Sequence, residues 1–177
     1  MGFSFPAALL LAVFLLLPSR QSSSQEVSAP SEYELKAAFL YNFALYTEWP
    51  VAPVDAFDFC VLGKDPFGTR LDRIGHKTLQ GKAIKIRRIN TVAEVKGCHV
   101  LFVPAIERDQ YSRITSAISQ QAILTVTDAA HDDKWPAVMI NLVSEGERYT
   151  FDINQGAAKI AGLTFSSKLL RLARSIR

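Results

Sequence analysis

Phe57-Asp58-Phe59-Cys60-Val61-Leu62-Gly63-Lys64-Asp65-Pro66 is the stretch on which the fold turns. Residues 57–62 are a short apolar run and read as a buried strand, and Gly63 to Pro66 read as the turn into a helix. The alternation repeats downstream. Residues 83–89 read as a second strand, with Ile84 and Ile86 on one face and Lys85 and Arg87 on the other. Residues 98–103 form a third, apolar after His99; residues 107–119 are helical; residues 122–127 form a fourth strand. Strands separated by helices imply a parallel sheet covered on both faces. Residues 138–143 and 148–152 then read as a hairpin turning at Glu145-Gly146, which adds antiparallel strands towards one edge. Helices over 155–161, ended by Gly162, and 166–176 close the chain. The expected class is α/β: a single-domain layered sandwich, its sheet mostly parallel, with helices on both faces and a C-terminal hairpin and helices.

Upstream of the first strand, Ser31-Glu32-Tyr33-Glu34 has the form of a capping box, in which each side chain reaches the other residue's backbone amide. The helix it opens carries Leu35, Ala38, Phe39, Asn42, Phe43 and Tyr46 at three- and four-residue spacing and runs to Trp49, before Pro50. Residues 21–30 are polar, small and aperiodic, as a linker is. Before them, the apolar stretch from Ala7 to Leu17 has the length of a signal-peptide core and falls short of the about 20 residues that a membrane span needs. No Lys or Arg precedes it, which leaves a retained anchor as the alternative. The chain therefore divides into a signal peptide (1–24), a linker (25–31) and one domain (32–177). Removing the leader takes Arg20 with it and lowers the net charge from +3 to +2, a balance with no nucleic-acid footprint. Export also moves the reading away from nucleotide-dependent metabolism, towards secreted sensing, binding or structural work.

The chain has two cysteines, Cys60 and Cys98. If their strands are neighbours in a right-handed wound sheet they can be bridged, and the alternative is a pair of reduced core residues. Residues 63–69 resemble a phosphate-cradling loop only superficially. The Lys-Ser/Thr pair is missing, Pro66 removes an amide, and the simpler reading has Asp65 capping a helix, Pro66 in its first turn and Gly68 allowing a close approach. His76, His99 and His131 have no metal-ligand spacing, Asp132-Asp133 has no partner spacing for glycoside hydrolysis, and no serine sits in a Gly-x-Ser-x-Gly elbow. Catalytic, metal and cofactor residues are therefore expected to be absent. Lys82, Lys85, Arg87 and Arg88 alternate with isoleucines, as on a solvated strand face or one that meets an acidic partner. In the last helix Leu169, Leu170, Ala173 and Ile176 form one face, with Lys168, Arg171 and Arg174 opposite.

Several strings, in order, resemble the YfiR family of periplasmic proteins: Ala37-Ala38-Phe39-Leu40-Tyr41-Asn42-Phe43 ending in Glu48-Trp49-Pro50; Cys60-Val61-Leu62-Gly63 with Asp65-Pro66-Phe67-Gly68; and Gly97-Cys98-His99-Val100-Leu101-Phe102-Val103. Leu124-Thr125-Val126-Thr127-Asp128, Met139-Ile140-Asn141, Phe151-Asp152-Ile153-Asn154, Ala161-Gly162-Leu163 and Ser166-Ser167-Lys168-Leu169-Leu170 continue the series, so the resemblance covers roughly residues 33–173. It implies a non-enzymatic periplasmic regulator with an α/β sandwich fold and a tendency to dimerise. Such a protein binds the periplasmic sensor region of an inner-membrane diguanylate cyclase and represses it, and an OmpA-like outer-membrane lipoprotein can titrate it away. Cys60 and Cys98 match positions that the family joins by a disulfide. A second cysteine pair carried by some members near residues 130–139 is missing from this sequence.

Two functions follow as expectations. The first is regulation by protein contact, with Tyr41 and Tyr46 on the first helix and Lys85 and Arg87 on the basic strand as candidate partner-binding residues. The second is a soluble periplasmic small-ligand-binding domain that uses the loops after Leu62, Val103 and Thr127. An extracytoplasmic hydrolase lacks an identifiable nucleophile–base pair.

Overall fold

The computed structural model describes residues 1–2, 31–119, 121–129, 135–146 and 148–177. The proposed leader beyond Gly2, the linker up to Pro30, His131 and Asp132-Asp133 lie outside them. Helix α1 (Glu32–Leu45) is followed by the short strand β1 (Thr47–Glu48) and by β2 (Ala56–Leu62). Then come α2 (Thr69–Asp72), a 3-10 turn over Arg73–His76, and the strands β3 (Thr78–Leu79) and β4 (Lys82–Ile89). A second turn, Val92–Val95, leads to β5 (Val100–Val103), the kinked 3-10 segment Ala105–Gln110, α3 (Tyr111–Ile118) and β6 (Leu124–Thr127). The chain ends with β7 (Ile140–Glu145), β8 (Arg148–Ile153), α4 (Gln155–Ile160), β9 (Thr164–Phe165), α5 (Ser167–Leu172) and β10 (Ser175–Ile176).

Eight strands form one sheet in the order β10-β8-β7-β6-β5-β2-β4-β3, and β1 pairs with β9 apart from it. The run β4-β2-β5-β6-β7 is parallel throughout. The expected hairpin is present, but its first strand joins β6 in parallel, so only β8 reverses direction there. Strand alternation places Phe57, Phe59 and Val61 of β2, with Val100 and Phe102 of β5, on the face that α1 covers. Cys60, Leu62, Leu101 and Val103 point to the other face, beside Ile114 and Ile118 of α3. A strand buried on both sides must be apolar almost throughout, as β2 and β5 are.

Elsewhere tertiary contacts override local signals. The first helix ends at Leu45 instead of Trp49 because Thr47 and Glu48 pair with Phe165 and Thr164. Its buried face is Lys36, Ala37, Leu40, Phe43 and Ala44, about one residue round from the predicted stripe. Ala38 and Asn42, expected to face inwards, are exposed; a helix apolar on most sides has no single face that periodicity can select. Ser31 occupies the N-cap position, but no capping box closes there. Its hydroxyl accepts from Arg70 Nε at 2.8 Å and Glu34 pairs with Arg73. Gly68, at φ +55°, leads into α2 with nothing within 4 Å of a would-be Cβ, so the turn needs its conformation and no close approach is made. Asp65 accepts the Phe67 amide ahead of α2 instead of capping it. The closing helix stops at Leu172 because Arg174 and Arg177 donate their amides to Phe151 and Ile153, adding β10 to the open edge of β8.

Candidate functional site

From β2 the chain moves to β4 on one side and then to β5, β6 and β7 on the other. This reversal is a topological switch point, and in open α/β sheets the crevice at the carboxyl ends of the two strands beside it is where ligands bind. Here a cavity of about 320 Å³ lies at that place, lined by Tyr33, Lys64, Pro66, Pro104, Ile106 and Asp128 among others. At its base Lys36 Nζ lies 2.7 Å from Asp128 Oδ2 and 2.6 Å from Glu32 Oε1, and the Lys36 and Asp128 side chains are each only 7% exposed. Asp128 Oδ1 accepts the Ala105 amide at 3.0 Å, and the Lys36 ammonium lies 4.6 Å from the centre of the Tyr33 ring. Burial by itself pulls the Lys36 pKa down, but the hydrogen bonds to Asp128 and Glu32 outweigh it and hold the pKa above its ordinary value. The ammonium thus stays charged, and the charged groups at the base already have partners within the fold.

The rim is fixed as well. Gly63 adopts φ +71°, and a Cβ there would collide with the Glu107 carboxylate. Glu107 accepts the Lys64 amide at 3.3 Å and the Gln110 side-chain amide at 2.7 Å. Only glycine satisfies both the backbone conformation and the close approach. Among the described residues no group of three or more His, Cys, Asp or Glu is placed to hold a metal ion.

Cys60 and Cys98 form a disulfide with Cα atoms 5.9 Å apart, which settles the choice that spacing left open. The strand of Cys60 and the strand that follows Cys98 are direct neighbours in the sheet. Beside the bridge, His99 Nδ1 accepts the Asp58 amide at 3.0 Å. A backbone N–H can only donate, so this nitrogen carries no proton and the imidazole is neutral. Burial lowers the His99 pKa and the nearby Asp58 carboxylate opposes the shift without reversing it.

The four predicted contact residues are not brought together. Tyr41 is half-buried on α1, its hydroxyl donating to the Thr78 carbonyl at 3.1 Å and its ring facing Lys77 Nζ at 4.8 Å. Tyr46, also half-buried, has the Lys168 ammonium 6.0 Å from its ring. Lys85 is exposed on β4, and alternation along that strand puts it on the sheet face opposite α1. Arg87, on the same side as Lys85, donates to the carbonyls of Glu94 (3.0 Å) and Lys96 (3.3 Å) and lies 3.8 Å from Cys98 Sγ. It ties down the loop that carries the bridge. Sequence reading missed the Lys36–Asp128 pair and the cations Arg70, Arg73 and Lys77. A lysine among residues 33, 36, 37 and 40, spaced as one helix face, is the signal that would have found the first.

The family described as YfiR/HmsC-like matches the chain over residues 33–174. Among curated proteins, none matches it.

Proposed function

The chain belongs to the YfiR/HmsC-like family, and from that premise we propose that it is a periplasmic, non-enzymatic regulator that binds the periplasmic sensor region of an inner-membrane diguanylate cyclase and holds the enzyme inactive. The observation that carries this reading is the family match across almost the whole described domain. The Cys60–Cys98 bridge supports an oxidising compartment. Among the described residues no helix is long and apolar enough to cross a membrane. The internal ion pair at the switch point supports a protein that works through its surface, because the buried charged groups at the base of the crevice are already engaged. An OmpA-like outer-membrane lipoprotein is the proposed competitor for that surface, and a homodimer the proposed assembly.

Repression requires tighter binding to the inactive state of the partner than to the active one. A tenfold shift needs only about 1.4 kcal/mol of differential affinity, within reach of a modest interface. Deleting the gene should raise cyclic di-GMP and surface attachment, and a secreted copy should restore both. Unchanged cyclic di-GMP in the deletion strain, with the cyclase expressed, would overturn the reading. The cavity at the switch point favours one second reading, binding of a small ligand between Tyr33 and Ile106. That reading predicts that Ile106→Trp removes ligand-dependent thermal stabilisation without altering the cyclase.

A further inference from the structure

We infer that the groove between α1 and residues 69–77 docks an acidic, partly apolar segment of the partner protein. The inference rests on the reading that this protein acts by partner contact, and it names the surface. The groove, about 280 Å³, runs between α1 and the chain from α2 to β3, and Arg70, Arg73, Lys77, Tyr41 and Asn42 line it together with Glu34. Ala37 and Ala38 open it, since small side chains on α1 leave a furrow where larger ones would fill it. Spacings of three and four along α2 and the following turn put the three cations along one wall.

Charge decides what fits. Glu34 is the one carboxylate among the lining residues, and it is taken by Arg73 at 2.6 Å. Arg70 donates Nε to the neutral Ser31 hydroxyl and Lys77 faces the Tyr41 ring, so neither has a carboxylate partner among the described residues. Two other arginines are taken up by carboxylates: Arg88 is bound by Asp65 and Asp72, and Arg174 by Asp152 and Glu145. A groove with surplus positive charge calls for carboxylates. Its form selects the carrier. These cations line a furrow that has alanines and Ile74 along it and a carboxylate inside it. An extended peptide can enter such a furrow with one acidic side chain and one aliphatic neighbour, whereas a flat anionic bilayer cannot follow a furrow down to its floor. The Tyr41 ring, pinned through its hydroxyl to Thr78, gives that neighbour a rigid platform.

The test uses a capped peptide of alternating Glu and Leu, followed by two-dimensional amide NMR on the protein. Resonances of Tyr41, Asn42 and Arg73 should move, and Arg73→Gln and Lys77→Gln should each weaken binding about two- to fivefold, as exposed ion pairs do. Lys85→Gln, on the opposite face, should leave it unchanged. Equal binding by wild type and both groove variants, or shifts confined to the Lys85 face, would overturn the inference. So would co-sedimentation of wild type, lost in the groove variants, with vesicles of equimolar phosphatidylglycerol and phosphatidylcholine while the peptide fails to bind, because the occupant would then be a membrane. A second arm uses the immobilised periplasmic region of the cyclase. If wild type and groove variants bind it equally, the groove assignment fails and the regulator reading stands; if wild type ignores it but takes the peptide in the groove, the reverse holds.

Discussion

On the α1 face of the sheet Phe43 meets Phe151 with ring centres 4.9 Å apart, and Phe67 meets Phe102 at 4.7 Å. On the α3 face the corresponding positions hold Cys60, Leu62, Leu101 and Val103, beside the stacked pair of Tyr111 on Trp135 at 4.3 Å. The first layer buries many large side chains, and the second adds a covalent bridge; the tie from His99 to the Asp58 amide lies ahead of β5, with the imidazole ring against Phe57 of the first layer. The difference teaches that one sheet can be secured in two ways. Where apolar area is plentiful, stability depends on filling volume; where it is scarce, it depends on restricting the unfolded chain.

The strongest way to break this comparison is to open a cavity in the first layer. Phe43 is fully buried, and Phe43→Ala should cost about 3–5 kcal/mol in chemical denaturation. Replacing both cysteines by alanine acts on the second layer. The bridge spans 38 positions, so its loss should cost about 2–4 kcal/mol, with the largest chain-entropy effect seen in the unfolded state. A cost for the cysteine pair well above that for Phe43→Ala would reverse the assignment of the two layers. The third effect is smaller and depends on pH. The folded His99 pKa lies below its ordinary 6.5, so on acidification the unfolded chain takes up the proton first. Stability from this tie is complete above about 6.5 and is lost as pH falls through the folded value, with a slope of no more than about 1.4 kcal/mol per pH unit. His99→Asn should flatten the unfolding profile in that window; an unchanged profile would sink the role given to the imidazole.

Legibility from sequence followed the range of the forces involved. The run 57–62 announced a buried strand, and the alternation after it announced the parallel sheet, because each depends on side-chain periodicity within a few residues. The turn after this run was readable as a turn into a helix but not in detail: α2 starts at Thr69, beyond Pro66, and Asp65 accepts the Phe67 amide instead of capping the helix. The β3–β4 hairpin escaped notice: its turn, Gln80-Gly81, has φ of +50° and +77°, and Gln-Gly is a weaker turn signal than Asn-Gly. The capping chemistry expected at Ser31 and Glu34 appears instead at Thr91 and Glu94, where both reciprocal bonds form. At Ser31 the pattern was equally good, but Arg70 and Arg73, brought in by α2 and the turn after it, compete for the same oxygens.

Among the predicted contact residues only Tyr41 lines the cationic groove. Arg87 was legible as a cation on a strand, but its engagement with Glu94, Lys96 and Cys98 depends on a loop that sequence spacing does not position. By itself the sequence determined the order of the longer strands and helices and the burial of both faces of the central strands, and its ordered strings matched a family. The bridge that the resemblance implied between Cys60 and Cys98 is formed in the fold, and tertiary structure alone decided that Lys36 and Asp128, 92 residues apart, close the base of the crevice and that Arg70, Arg73 and Lys77 face Tyr41 across a groove. The reason is physical: periodicity is a local property of the chain, whereas an ion pair, a bridge or a charged groove exists only between groups that the fold carries together from distant positions.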